Sequence, residues 1–126
     1  MVRARFRIGA LFTSADYVQA QRVRNVLKRE FAEVLRRVDV IASPTMSSTA
    51  PAFAGIDAMT TARRPSFTGP YNVTGMPAIS VPCGFTPAGL PVGLQIAGKP
   101  FDEPTVLRAA YTYQQHARWF DKRPPV

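Results

Sequence analysis

The stretch NVTGMPAISVPCGFTPAGLPVGLQIAG, Asn72 to Gly98, is rich in proline and glycine, yet apolar residues alternate through it as they do in paired β-strands. Ile79, Val81, Cys83 and Phe85 fall on one side of the first run, with Ala78, Ser80, Pro82 and Gly84 on the other. In the second run Val92, Leu94 and Ile96 alternate with Gly93, Gln95 and Ala97. Between them TPAGLP sets Pro87 and Gly89 where a tight turn needs them, so the segment predicts an antiparallel hairpin. One face of this hairpin is bulky and the other is built from small residues. Gly and Ala weaken a strand unless something comes close to its backbone, so the small face predicts an element packed upon it.

Working outward, SFTGPYNVTG predicts a short helix with Thr68 as N-cap, Pro70 in the first turn and Gly75 as its stop. From Ser14 to about Arg37, Val23, Leu27, Phe31, Val34 and Val38 recur at spacings of three and four. This predicts a long amphipathic helix, with Ser14 as N-cap, Asp16 in the first turn and Arg36 and Arg37 at the negative end of the macrodipole. DVIAS, closed by Pro44, reads as a short, fully buried parallel strand. Residues Thr45 to Pro65 lack a period and read as a surface excursion. FDEPTVLRAAYTYQQHARWF predicts a closing helix, with Asp102 as N-cap and Val106, Ala110, Tyr113 and Ala117 in a stripe. The fold class is therefore α/β, a sheet flanked by helices, with residues 1–126 forming one domain or one fragment of a larger one.

Composition narrows the function. At 126 residues and 46% apolar content, the chain is long enough for one compact core. Its sixteen Lys and Arg against eight Asp and Glu raise the question of nucleic acid as a partner. The arginines sit in three separate places without interleaved aromatics, which argues against a nucleic-acid platform. A single cysteine and a single histidine give no metal-ligand spacing, and no metal is expected. The run Ile8 to Phe12 is too short for a signal core or a membrane span, so no membrane partner is expected and the chain reads as cytoplasmic.

No complete reaction centre can be assembled from these residues. Cys83 has no neighbouring base and reads as a buried structural thiol. His116, near the end of a helix, would need both a nucleophile and an orienting group. Ser47 and Ser48 have no lysine close in sequence and read as turn residues. A phosphate-binding loop, a dinucleotide fingerprint and a nucleophile elbow are absent.

YVQAQRVRNVLKREFAEVLRRVDVIASPT, NVTGMPAISVPCGF, GLPVGLQIAGKPFDE and the closing helix together resemble the C-terminal part of amidase-signature hydrolases, from about Phe6 to Phe120. The resemblance implies a mixed sheet and cleavage or transfer of carboxamide nitrogen by a serine, a second serine and a lysine, without metal or organic cofactor. The lysine and both serines lie upstream in the family, the serines within or just after a Gly/Ser-rich run that this sequence lacks, so no catalytic residue is assigned here. The expected partners are an N-terminal amidase portion or a second copy, with a small amide as substrate only in the complete enzyme. Met46, Thr68 and Asn72 are the candidates for the far wall of a substrate pocket. Pro65 stands seven positions before Asn72, where relatives that take ammonia from glutamine carry an acid, and this favours a general amidase over the A subunit of a tRNA-dependent amidotransferase. A non-enzymatic basic interaction module is the competing class.

Overall fold

The computed structural model describes residues 7–54 and 66–122. A 22-residue helix, α1 (Ser14–Leu35), leads into strand β1 (Val40–Pro44). A short helix, α2 (Gly69–Thr74), precedes the hairpin of β2 (Ala78–Phe85) and β3 (Pro91–Gly98), and helix α3 (Glu103–Ala117) follows, ending in a 3-10 turn at Trp119–Asp121.

The predicted hairpin forms. In its turn the Gly89 amide donates to the Thr86 carbonyl at 2.9 Å, and Gly89 takes φ 78°, a conformation that favours glycine. The alternation breaks at one place. Pro82 pairs with Gly93 and Gly84 pairs with Val92, which leaves Cys83 as the extra residue of a β-bulge. Gly84 absorbs the distortion at φ 150°. The row expected from strict alternation therefore ends at Val81, and Cys83 is half-buried rather than buried, its thiol facing the Val92 carbonyl at 3.5 Å.

Strand β1 corrects a second expectation. It runs antiparallel to β3, pairing Val40 with Gly98 and Pro44 with Leu94, in a sheet of order β1-β3-β2. As an edge strand it is half-exposed, and an edge is where Pro44, which has no amide to donate, is tolerated. The sheet's described strands are all antiparallel.

Helices cover both faces. On one, Val81 and Ile96 pack with Ala110 of α3, supported by Val40, Ile79, Leu94 and Tyr113. Val106 sits so close to β3 that a Cβ on Gly98 would lie 2.5 Å from its Cγ2. On the small-residue face, Leu35, Tyr71 and Met76 close over Ala97, with Phe31 and Ile41 beside them. The element that the small residues called for is thus the junction of α1 and α2, fixed by the Arg24 Nε donating to the Val73 carbonyl at 2.6 Å.

Only the last turns of α1 reach this core. Leu35 is buried and Phe31 half-buried, whereas Val23, Val34 and Val38 are 50%, 48% and 43% exposed, so the predicted stripe is only partly used. The helix also starts differently, since Thr13 is the N-cap and Ser14 the first helical residue. The Thr13 Oγ1 accepts from the Asp16 amide at 3.2 Å, and the Asp16 carboxylate accepts from the Thr13 amide at 2.8 Å, a reciprocal capping box. Thr68 caps α2 by position without a side-chain bond; Ser66 Oγ accepts from the Gly69 amide instead, at 3.0 Å. Helix α3 stops at Ala117, where Arg118 takes φ 52° and turns the chain toward Trp119.

Two outcomes follow from this packing. Gly98→Ala should destabilise the fold by about 1–3 kcal/mol in chemical denaturation, because its methyl has only the Val106 side chain to displace; an unchanged midpoint would contradict the packing. The hydrogen bonds from Thr13 hold the exposed Asp16 carboxyl below its ordinary value of 3.8. A depressed folded value means that the cap contributes fully above pH 3.8 and is lost as pH falls through the lowered value. Protection of the Thr13 amide, taken relative to its intrinsic exchange rate at the same pH, should be lost across that fall, and Asp16→Asn should remove this titration of the protection.

Candidate functional site

The open half of the small-residue face carries the polar side chains. Ser43, Ser80 and Gln95 come one from each strand and Thr45 from the residue after β1, and the register sets both Ser43 and Ser80 opposite Gln95. Gln95 is buried at 3% exposure, and its Nε2 donates to the Phe67 carbonyl at 3.0 Å and to Ser43 Oγ at 3.3 Å. Burial without those acceptors would leave the amide unsatisfied, so Gln95 ties β3 to both β1 and the entry of α2.

Next to it, the Thr45 and Ser80 hydroxyls bond each other at 2.6 Å. They reach across β3 over Gly93, where a Cβ would lie 2.8 Å from Thr45 Oγ1 and 2.9 Å from Ser80 Oγ. Glycine is what permits the bridge. The Thr45 amide also donates to the Gly93 carbonyl at 2.9 Å, so the chain is held to the sheet one residue past β1.

Two depressions share this bridge as a common wall. A groove of about 620 Å³ is lined by Thr45, Met46, Ser47, Thr49 and Ala50 on one side and by Ser80, Pro82 and Gly93 on the sheet. A smaller one of about 290 Å³ is lined by Thr68, Tyr71, Asn72, Met76, Ser80 and Gln95. Of the three candidate pocket residues, Thr68 and Asn72 lie together in the smaller depression, and Met46 lies in the larger, 56% exposed. Asn72 is occupied locally, its Nδ2 donating to the Thr68 carbonyl at 3.1 Å. Thr68 Oγ1 lies 3.2 Å from Ser66 Oγ. Sequence reasoning missed the Thr45–Ser80 bridge and Gln95; the small size of residue 93 amid bulky neighbours was the available signal.

Chemically, the groove offers hydroxyls and apolar surface. Its described lining contains no titratable side chain. His116 is exposed on α3, against the opposite face of the sheet, with its Nδ1 donating to the Thr112 carbonyl at 2.8 Å. Among the described residues no cluster of three His, Cys, Asp or Glu is placed to hold a metal, and no helix is long and apolar enough to cross a membrane. Pro65 lies outside the described residues.

A family profile described as Amidase matches residues 1–107. The chain belongs to the amidase family. This agrees with the resemblance carried by the hairpin and the long helix. The chain is 46% identical over 133 aligned residues to the glutamyl-tRNA(Gln) amidotransferase A subunit of Methanosarcina barkeri, covering 98% of this chain and 27% of that protein. It is 42% identical over 125 residues to the protein of the same name from Oceanobacillus iheyensis, covering 96% of this chain and 25% of the relative. Among solved structures, the glutamyl-tRNA(Gln) amidotransferase A subunit of Thermotoga maritima superposes with a TM-score of 0.74 at 38% identity, covering 94% of this chain and 27% of that one. A 6-aminohexanoate cyclic dimer hydrolase superposes at 0.72 with 26% identity, covering 88% and 25%. This amidase-family chain thus spans about a quarter of the length of the curated relatives it matches.

The bridge over Gly93 has a measurable consequence. Gly93→Ala should cost about 1–3 kcal/mol of stability, since the new methyl meets two hydroxyls held by strands on either side. In a Ser80→Ala background the same substitution should cost less, because one of those hydroxyls is gone. A double-mutant cycle with additive effects would show that the close approach is absent in solution.

Proposed function

We propose that this chain forms the supporting sheet and one wall of the substrate cleft in an enzyme that cleaves or transfers the nitrogen of carboxamides, with nucleophile and base supplied by amidase sequence outside these residues. The observation that carries the reading is the groove over Gly93, whose described lining offers hydroxyls and contains no titratable side chain. An amide carbonyl or N–H finds donors and acceptors there, and nothing in the described lining can take a proton from a nucleophile. In the assembled enzyme Met46 would supply apolar contact, while Thr68 and Asn72 would wall the far end. The catalytic portion would lie against the open half of the small-residue face, excluding water from the groove.

Two observations pull the substrate class in different directions. The absence of an acid at Pro65 favours a general amidase, because a carboxylate there would anchor a glutamine amino group. The 46% and 38% identities to amidotransferase A subunits favour ammonia transfer from glutamine. The chemistry common to both, attack on a primary carboxamide, is the proposal. In the amidotransferase case the enzyme would also assemble with further subunits.

The test is reconstitution. The 126-residue chain alone should show no amide hydrolysis, since loss of nucleophile and base removes many orders of magnitude in rate. Mixed or co-expressed with the complementary portion of a relative, it should restore turnover. Glutamine and a simple aliphatic amide, assayed side by side, then distinguish the two classes. Turnover by the chain alone that is lost on changing Ser47 or Cys83 would overturn the reading.

A further inference from the structure

We propose that the cleft between α1, α2 and the turn leading into α3 is a docking socket for an acidic amphipathic segment of a protein partner. In this arrangement an apolar side chain enters the cleft while neighbouring carboxylates pair with Lys28.

The cleft has a volume of about 320 Å³ and lies away from the groove over Gly93. Phe31, Leu35 and Met76 form its apolar floor, and Arg24, Lys28 and Phe101 stand at its rim. The two cations are not equivalent. Arg24 is committed to the fold, with Nε on the Val73 carbonyl and Nη1 3.3 Å from Gln21 Oε1. Lys28 is exposed and has no hydrogen bond or ion pair among the described residues, so its ammonium is available to an incoming carboxylate.

Phe101 supplies the second, independent observation. The residue is 94% exposed, and its backbone sits at φ 64°, a region that is costly for a bulky residue. A large ring on a strained backbone, left uncovered by the described residues at the lip of an apolar hollow, is placed to close over a side chain that enters the hollow.

Charge decides what enters. The chain carries a formal +8, and Arg22 and Arg29 extend the unpaired positive charge of Lys28 along α1. A second copy would bring like charge to this surface, whereas an acidic segment is attracted to it. Nucleic acid fits the charge but not the shape, because base stacking needs several protruding rings and this rim offers one.

The experiment is fluorescence anisotropy on the 126-residue chain. The probe is a labelled helical peptide of about 15 residues with leucines along one face and glutamates on the other. Two control peptides carry glutamine in place of every glutamate, or serine in place of every leucine. The acidic apolar peptide should bind at least about tenfold more tightly than either control. Lys28→Glu and Phe101→Ser should each weaken it by about tenfold, with circular dichroism unchanged because both side chains are exposed. No binding, equal binding of the three peptides, indifference to both substitutions, or tighter binding of a uridylate oligonucleotide through Lys28 would overturn the proposal. The readout involves no turnover, so it stands or falls separately from the amide-cleaving function.

Discussion

The fold depends on how closely other elements approach strand β3. It is the central strand, hydrogen-bonded to β1 on one edge and β2 on the other, and its two glycines admit contacts from opposite faces. At Gly98 the missing side chain admits Val106 and so seats α3. At Gly93 it admits the Thr45 and Ser80 hydroxyls, which join the outer strands above the middle one. A side chain at either position would push apart layers whose spacing sets both the core and the groove. Glycine weakens a strand in isolation, and here that loss is offset by the contacts it makes possible.

The same constraint explains why the polar groups collect where they do. On the small-residue face, Ala97 accepts the bulk of Leu35, Tyr71 and Met76, and the interior is apolar. Two residues earlier along β3 the polar Gln95 is still buried and must find partners on β1 and at the start of α2. Beyond it, at Gly93, the face is open and lined by hydroxyls. A gradient from packed to solvated surface along a single strand therefore sets the position of the groove. The chain belongs to the amidase family and spans about a quarter of its relatives' length, and in the proposed reading that open half-face is where a catalytic portion would pack.

Much of this was legible in the sequence because it depends on local chemistry. Pro87 and Gly89 announced the turn, Gly75 announced the end of α2, and Val106 and Ala110 announced the buried stripe of α3. The long helix was clear in outline, but its buried side was not. An apolar period states which residues can be buried, whereas Leu35 is buried and Val23 and Val26 are not because the helix meets the sheet only near its end. The direction of β1 escaped for a related reason: an apolar run does not encode the polarity of its neighbour. Cys83 shows the limit of alternation, since a bulge changes the count without changing the composition. The bridge over Gly93 joins residues 35 apart in sequence, and only the folded register brings them together.

The central claim is that these residues build the wall of a reaction centre and do not contain its nucleophile. The most direct measurement is intact-mass spectrometry of the 126-residue chain after exposure to a serine-reactive fluorophosphonate. The account predicts no stoichiometric adduct, because the described lining of the groove holds no side chain that could act as a base toward its hydroxyls. Rapid, saturable labelling of one residue on the groove, blocked by a competing amide, would contradict it.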